Sequence, residues 1–181
     1  SSAAVLSAYD KVYTMADNYA EAAQEYENLA KKYSSADQIL YSDVSKIASV
    51  LSMSPQAVLQ AWDQIPAMLQ QYAQDGLSAL DLLNQEAFFN ITGTSSVDFS
   101  DLENGIVIVD NMAQEMLDTL IKTGQFEVET IPVNSVAKVW DSTVRDFVSR
   151  QVNGTYKVLK PTGNNPFSSG SHRKASTKSS G

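Results

Sequence analysis

A mainly α-helical fold is the expectation for this chain: a multi-helix bundle led by a long N-terminal helix. Three observations carry it. First, Val5, Tyr9, Val12, Ala16, Tyr19, Ala23, Tyr26, Ala30 and Tyr33 fall alternately four and three residues apart. Such a seven-residue period draws one seam along one helix. Second, several serine-led capping signals precede apolar residues at helical spacing. Third, from Pro161 onward Gly, Ser, Asn and Pro dominate, and Phe167 is the only large apolar side chain. That segment buries too little surface to offset its ordering entropy, so residues 161–181 read as a flexible or extended tail.

The first helix is expected over 3–33. With Val5 at d and Tyr9 at a, every b, c and f position from Asp10 to Lys32 is polar. Leu6, Ala8, Tyr13, Met15, Ala22 and Leu29 occupy e and g, so the apolar stripe is wider than a two-stranded coiled-coil seam and suits a bundle. Lys31 and Lys32 fall in the last turn, where cations complement the helix dipole. The seam is rich in tyrosine, which prefers half-wet contacts and is enriched where proteins meet. Tyr9, Tyr19, Tyr26 and Tyr33 are therefore the candidate protein-interface residues, with an ordinary core face as the equal alternative.

A helical body is expected over 35–124. Ser35 with Gln38 makes a capping box for a short second helix, and Ser42 or Asp43 caps a third reaching about Ser52. Ser54 before Pro55 is an N-cap followed by proline at the first helical position. Val58, Leu59, Trp62 and Ile65 follow; Pro66 is expected to break or kink the helix, and Met68, Leu69 and Tyr72 continue it to Gly76. Another helix reads over 77–89, with Leu80, Leu83, Ala87 and Phe88 on one side. After a loop, Ser100 and Glu103 form a second capping box. Leu102, Ile106, Val109, Met112, Met116 and Leu120 then follow at helical spacing until Gly124. The run 106–109 also reads as a strand, but the period beyond it favours helix.

A strand-helix-strand is expected over 126–160. Phe126 to Ile131 alternates with Glu127 and Glu129, as a strand does. Asn134 or Ser135 starts a final helix bearing Val136, Val139, Trp140, Val144 and Phe147. Asn153-Gly154 caps that helix or turns a hairpin, and residues 155–159 form a second strand. The two strands would pair as a small ribbon. The whole of 1–160 thus reads as one helical domain.

Composition narrows the function. The chain has 181 residues, 43% of them hydrophobic, and no cysteine, which removes disulfides, thiolate nucleophiles and Cys-based metal sites. His172 is the only histidine and lies in the tail, so histidine chemistry in the core is excluded and no cofactor is expected. No 18-residue apolar run and no basic-then-apolar leader is present, so neither a membrane partner nor secretion is expected. A cytoplasmic location, or a virus particle assembled there, is the expectation. Lys160, Arg173, Lys174 and Lys178 give the last 22 residues +4; the remaining 9 bases against 21 acids leave the body at −12. Such a body repels nucleic acid, whereas Arg173, Lys174 and Lys178 make the tail a candidate docking arm. The same stretch resembles a basophilic kinase site at Ser176.

Residues 44–62 resemble a helix-turn-helix. Ile47 and Ala48 precede the turn, Ser52 stands where such motifs place glycine, and Val58 and Ala61 follow on the second helix. The resemblance covers about 20 residues and implies Gln56 and Gln60 against base edges, where glutamine pairs with adenine. The second helix has no lysine or arginine for phosphates, and Asp63 ends its first stretch. A corner used for packing accounts better for it. Glu127 with Glu129, and Asp98 with Asp101, are paired acids that exposed strand and capping positions explain. Asn90-Ile91-Thr92 and Asn153-Gly154-Thr155 are glycosylation sequons, relevant only in a secreted protein. The expected function is a non-enzymatic structural or assembly protein packing its helices in a larger complex, such as a virus or phage particle. A helix-turn-helix regulator, or a small-ligand or enzyme domain with its own site, is the alternative.

Overall fold

Val107 pairs in register with both arms of one long hairpin, and that pairing overturns the expected helical bundle. The computed structural model describes residues 2–94 and 105–168. Its main elements are α1 (Ser2–Lys32), α2 (Ser45–Leu51), α3 (Pro55–Gln60), α4 (Ile65–Thr92), β1 (Val107–Ile108), α5 (Gln114–Lys122), β2 (Phe126–Asp141) and β3 (Asp146–Pro161). Short 3-10 turns cover Ala36–Gln38, Tyr41–Val44 and Trp62–Gln64. The fold is mixed α/β, with a closed three-stranded sheet where a two-stranded ribbon was expected. The long N-terminal helix is present.

The chain divides into two units. Among the described residues, one comprises 2–10, 81–94 and 105–164; the other comprises 11–80 and 165–168. In the first unit, β2 and β3 pair over 16 residues each, from Phe126↔Pro161 to Asp141↔Asp146. β1 lies parallel to β2 at Val107↔Lys138 and antiparallel to β3 at Val107↔Leu159. Within the hairpin, Leu159 faces Val128, ten positions from Lys138, or about 33 Å along an extended strand. A two-residue strand touches both only because the hairpin curls until its arms close across it. Pro132 and Gly154 fall in the intervening stretch, where regular pairing weakens and curvature is tolerated.

Curling gives the hairpin two buried faces. Val133, Ala137 and Val139 of β2 join Val152 and Val158 of β3 and Ile108 in a cluster built wholly from strands. Phe126 and Trp140 of β2 and Leu159 of β3 join Val107, Phe88 of α4 and Leu117 and Leu120 of α5 in the larger core. Phe88 meets Phe126 edge-on at 5.4 Å, and Trp140 meets Phe147 edge-on at 5.2 Å. Odd positions of β2 serve one cluster and even positions the other. Apolar residues at 136, 139, 140, 144 and 147 mimic helical spacing only because exposed Val136 and Val144 fall in step with Val139 and Trp140 of the two faces and Phe147 of β3, so the final helix expected there is not formed. The hairpin turns instead at 142–145. Asp141 Oδ1 accepts the Thr143 and Val144 amides at 2.8 and 3.4 Å, and Arg145 takes φ 57°. Asn153-Gly154 lies inside β3 and turns nothing.

In the second unit, Ala22, Leu29, Ile39, Val44, Ile47, Ala48, Val58, Ile65 and Leu69 form the core. The Ser35–Gln38 capping box is present, and Ser54 Oγ accepts the Ala57 amide at 3.0 Å. Pro66 sits in the first turn of α4, where its missing N–H costs nothing, so it starts that helix and does not break it. Gly76 does not stop α4, which runs on through 92. The helix expected over 102–124 survives only at 114–122 among the described residues; 107–108 is strand, and Ser100, Glu103, Asp98 and Asp101 lie outside the described residues.

Candidate functional site

The tyrosine seam of α1 faces its own chain at its start. Tyr9 is 0% exposed and donates its hydroxyl to Asn84 Oδ1 at 2.8 Å. Asn84 Nδ2 donates to Gln125 Oε1 at 3.0 Å, and Gln125 Nε2 donates to the Asn164 carbonyl at 3.2 Å. A buried tyrosine needs such a partner, and here a polar relay supplies it. The later tyrosines are half-buried. Tyr19 lies 6.2 Å from the Phe167 ring, Tyr26 stacks at 4.5 Å on Trp62, and Lys32 Nζ stands 5.2 Å over Tyr33. Ala30 is exposed, and Ala22 and Leu29, both g positions, are buried. A 3.5-residue seam drifts about 20° per heptad on a 3.6-residue helix, so over four heptads burial passes to neighbouring positions.

Residues from separate parts of the sequence meet in one cleft. Tyr26 and Tyr33 of α1, Gln60 of α3, and Trp62, Asp63 and Gln64 of the following turn line a space of about 530 Å³, together with Ser34–Ala36. The capping box shapes the Ser34 side, because Gln38 Oε1 accepts from the Ser34 and Ser35 amides at 3.1 and 3.3 Å. Two of the seam tyrosines and one of the two glutamines thus share a wall that no spacing rule connects.

A second groove, of about 580 Å³, is lined by Glu21, Glu25, Asp43 and Lys46 among others. Glu21, Glu25 and Lys46 are already engaged. Glu25 Oε2 accepts the Ile47 amide at 2.8 Å and so caps α2 from α1, while Lys46 reaches Asn18 at 3.0 Å and Glu21 at 3.6 Å.

Where the sequence resembles a helix-turn-helix, α2 and α3 are joined by a short turn. Ser52 takes φ 54° and closes α2, its amide and that of Met53 reaching back to Ser49 and Ala48 carbonyls at 3.4 and 2.9 Å. Gln56 and Gln60 are both exposed. α3 is six residues long, about 9 Å, and carries no base. Arg173, Lys174 and Lys178, with His172 and Ser176, lie outside the described residues. The paired strand acids bracket a cation: Lys160 contacts Glu129 and lies 3.5 Å from Glu127.

The apolar face that sequence reasoning missed is on α4. Leu82 is 55% exposed and Phe89 61% exposed, seven residues apart and so two turns along one side. Leu80, Ala87 and Phe88 fill the buried side of the same helix. A helix apolar on two sides was the available signal. Among the described residues no three His, Cys, Asp or Glu side chains are grouped to hold a metal, and no helix is long and apolar enough to cross a membrane. No protein-family model, no curated protein and no solved structure matches this chain.

Proposed function

We propose that the protein is a non-enzymatic assembly component that associates with itself through α4, helix against helix. The observation that carries this reading is the pair Leu82 and Phe89, large apolar side chains left open on one side of a 28-residue helix. Single exposed apolar residues are common, but two at heptad spacing form a stripe of the kind that helices pack together. Glu86 and Asp81 flank the stripe with charge, as an interface rim does. The tyrosine seam is no longer the contact in this reading, since Tyr9 is committed to its own core.

Light-scattering mass across protein concentration tests it. The full chain should exceed the monomer mass of 19.7 kDa as concentration rises, and Leu82→Ser with Phe89→Ser should return it to monomer. A strict monomer at high concentration removes the proposal. With a net charge of −8, copies repel, so added salt should strengthen an apolar contact.

The second reading, DNA contact through the corner at 44–62, is favoured by one observation: Ser52 adopts the left-handed turn that such motifs need. Binding to random-sequence duplex at low salt tests it, and loss of that binding in Gln56→Ala with Gln60→Ala is the outcome it requires.

A further inference from the structure

We propose that the cleft lined by Tyr26, Tyr33, Trp62 and Asp63 binds a cationic side chain, an arginine guanidinium or lysine ammonium, presented by a basic segment of a partner protein. Aromatic faces and one carboxylate converge there, and Gln60 and Gln64 add neutral amides. None of the residues lining the cleft carries a positive charge. The sequence has no Lys, Arg or His anywhere from Ile47 to Ile121. Asp63 is the one charged residue on the lining, so a cation gains both from it and from the negative ring faces.

Tyr33 already carries a cation on its ring, from Lys32, which lines the second groove and not this cleft. Lys32 Nζ stands 5.2 Å from the Tyr33 ring centre, within cation–π range. Trp62 and Tyr26 stack at 4.5 Å with a 35° tilt, and both stay half-buried, so each keeps ring surface open. A guanidinium can stack on that surface and donate to the Asp63 carboxylate at once, because it is flat and presents its donors in its own plane. A neutral saccharide would use the rings and amides but has no need of Asp63, and the charge separates the two.

The test is nuclear magnetic resonance on the full chain, reading the indole N–H of Trp62. Trp140, 2% exposed, is the internal control. The probe is a capped Gly-Arg-Gly tripeptide, with its citrulline analogue as the uncharged isostere. The Trp62 signal should move saturably with the arginine peptide, stay still with citrulline, and leave Trp140 untouched. Asp63→Asn, at an exposed position, should weaken binding roughly threefold, the scale of an exposed ion pair. Absence of movement, equal binding of the citrulline peptide, or a cellobiose shift that Asp63→Asn leaves unchanged overturns the proposal. A full chain carrying R173Q, K174Q and K178Q should bind the probe as the parent does. Tighter binding by that variant keeps the cation chemistry but overturns the partner as its source, because the protein's own basic residues would then be the competitor. The inference stands apart from self-association: the Leu82→Ser, Phe89→Ser variant should bind the probe unchanged.

Discussion

Phe167 lays its ring on the bare backbone of Gly76, and a methyl group at residue 76 would overlap that ring. Phe167 is 4% exposed and also faces Tyr19. The glycine in mid-helix is thus explained by close approach, and not by a helix end.

Gly76→Ala should destabilise the protein although alanine is the better helix former by about 1 kcal/mol, because overpacking costs about 1–3 kcal/mol. In a Phe167→Ala background the same change should become stabilising. Thermal melts of the four proteins in this cycle measure the reversal; a Gly76→Ala effect of one sign in both backgrounds breaks the assigned contact.

Tyr9→Phe keeps the ring and deletes the hydroxyl that satisfies Asn84. Removing this part-buried hydrogen bond should cost about 0.5–1.5 kcal/mol. Urea titration should show that loss with no change in oligomer mass. A change in mass without a change in stability would return Tyr9 to an interface.

Ser52→Gly should stabilise by roughly 1 kcal/mol, since a side chain at left-handed φ costs about that much. A raised Tm is the expected outcome, and an unchanged or lowered one contradicts the turn at Ser52.

The hydrogen bond from Lys160 to Glu129, reinforced by the charges of Glu129 and Glu127, holds the Lys160 ammonium above its ordinary pKa of 10.5. A raised folded-state pKa gives stability that is fully present below the ordinary value and lost as pH rises through the folded one. The Tm advantage of the parent over Lys160→Gln should therefore be flat below about pH 10 and narrow above it. Both strands are exposed there, so the advantage is small at every pH.

Much of the helical half was legible in the sequence. The 4-3 repeat marks α1, and the Ser35–Gln38 and Ser54–Pro55 signals mark real caps, because caps and periods are local. The β half was not, because its logic is long-range. β2 buries Val133, Ala137 and Val139 toward one cluster and Phe126 and Trp140 toward another, so its sequence lacks clean alternation. The Asp141 turn was readable as an Asp-Ser-Thr stretch, but Val136 to Phe147 at helical spacing overrode it. At the cleft, Tyr26, Tyr33 and Gln60 were each singled out for separate roles. Only the tertiary fold brings them beside Trp62 and Asp63.

Self-association through α4 can be tested most directly by a cysteine placed in the stripe. The chain has none, so Gln85→Cys, exposed between Leu82 and Phe89, gives a single thiol at the centre of the proposed contact. Under mild oxidation it should form disulfide-linked dimers much faster than Lys31→Cys, an exposed control on α1, and Phe89→Ser should slow it to the control rate. Equal rates for the two cysteines would contradict α4 as the contact.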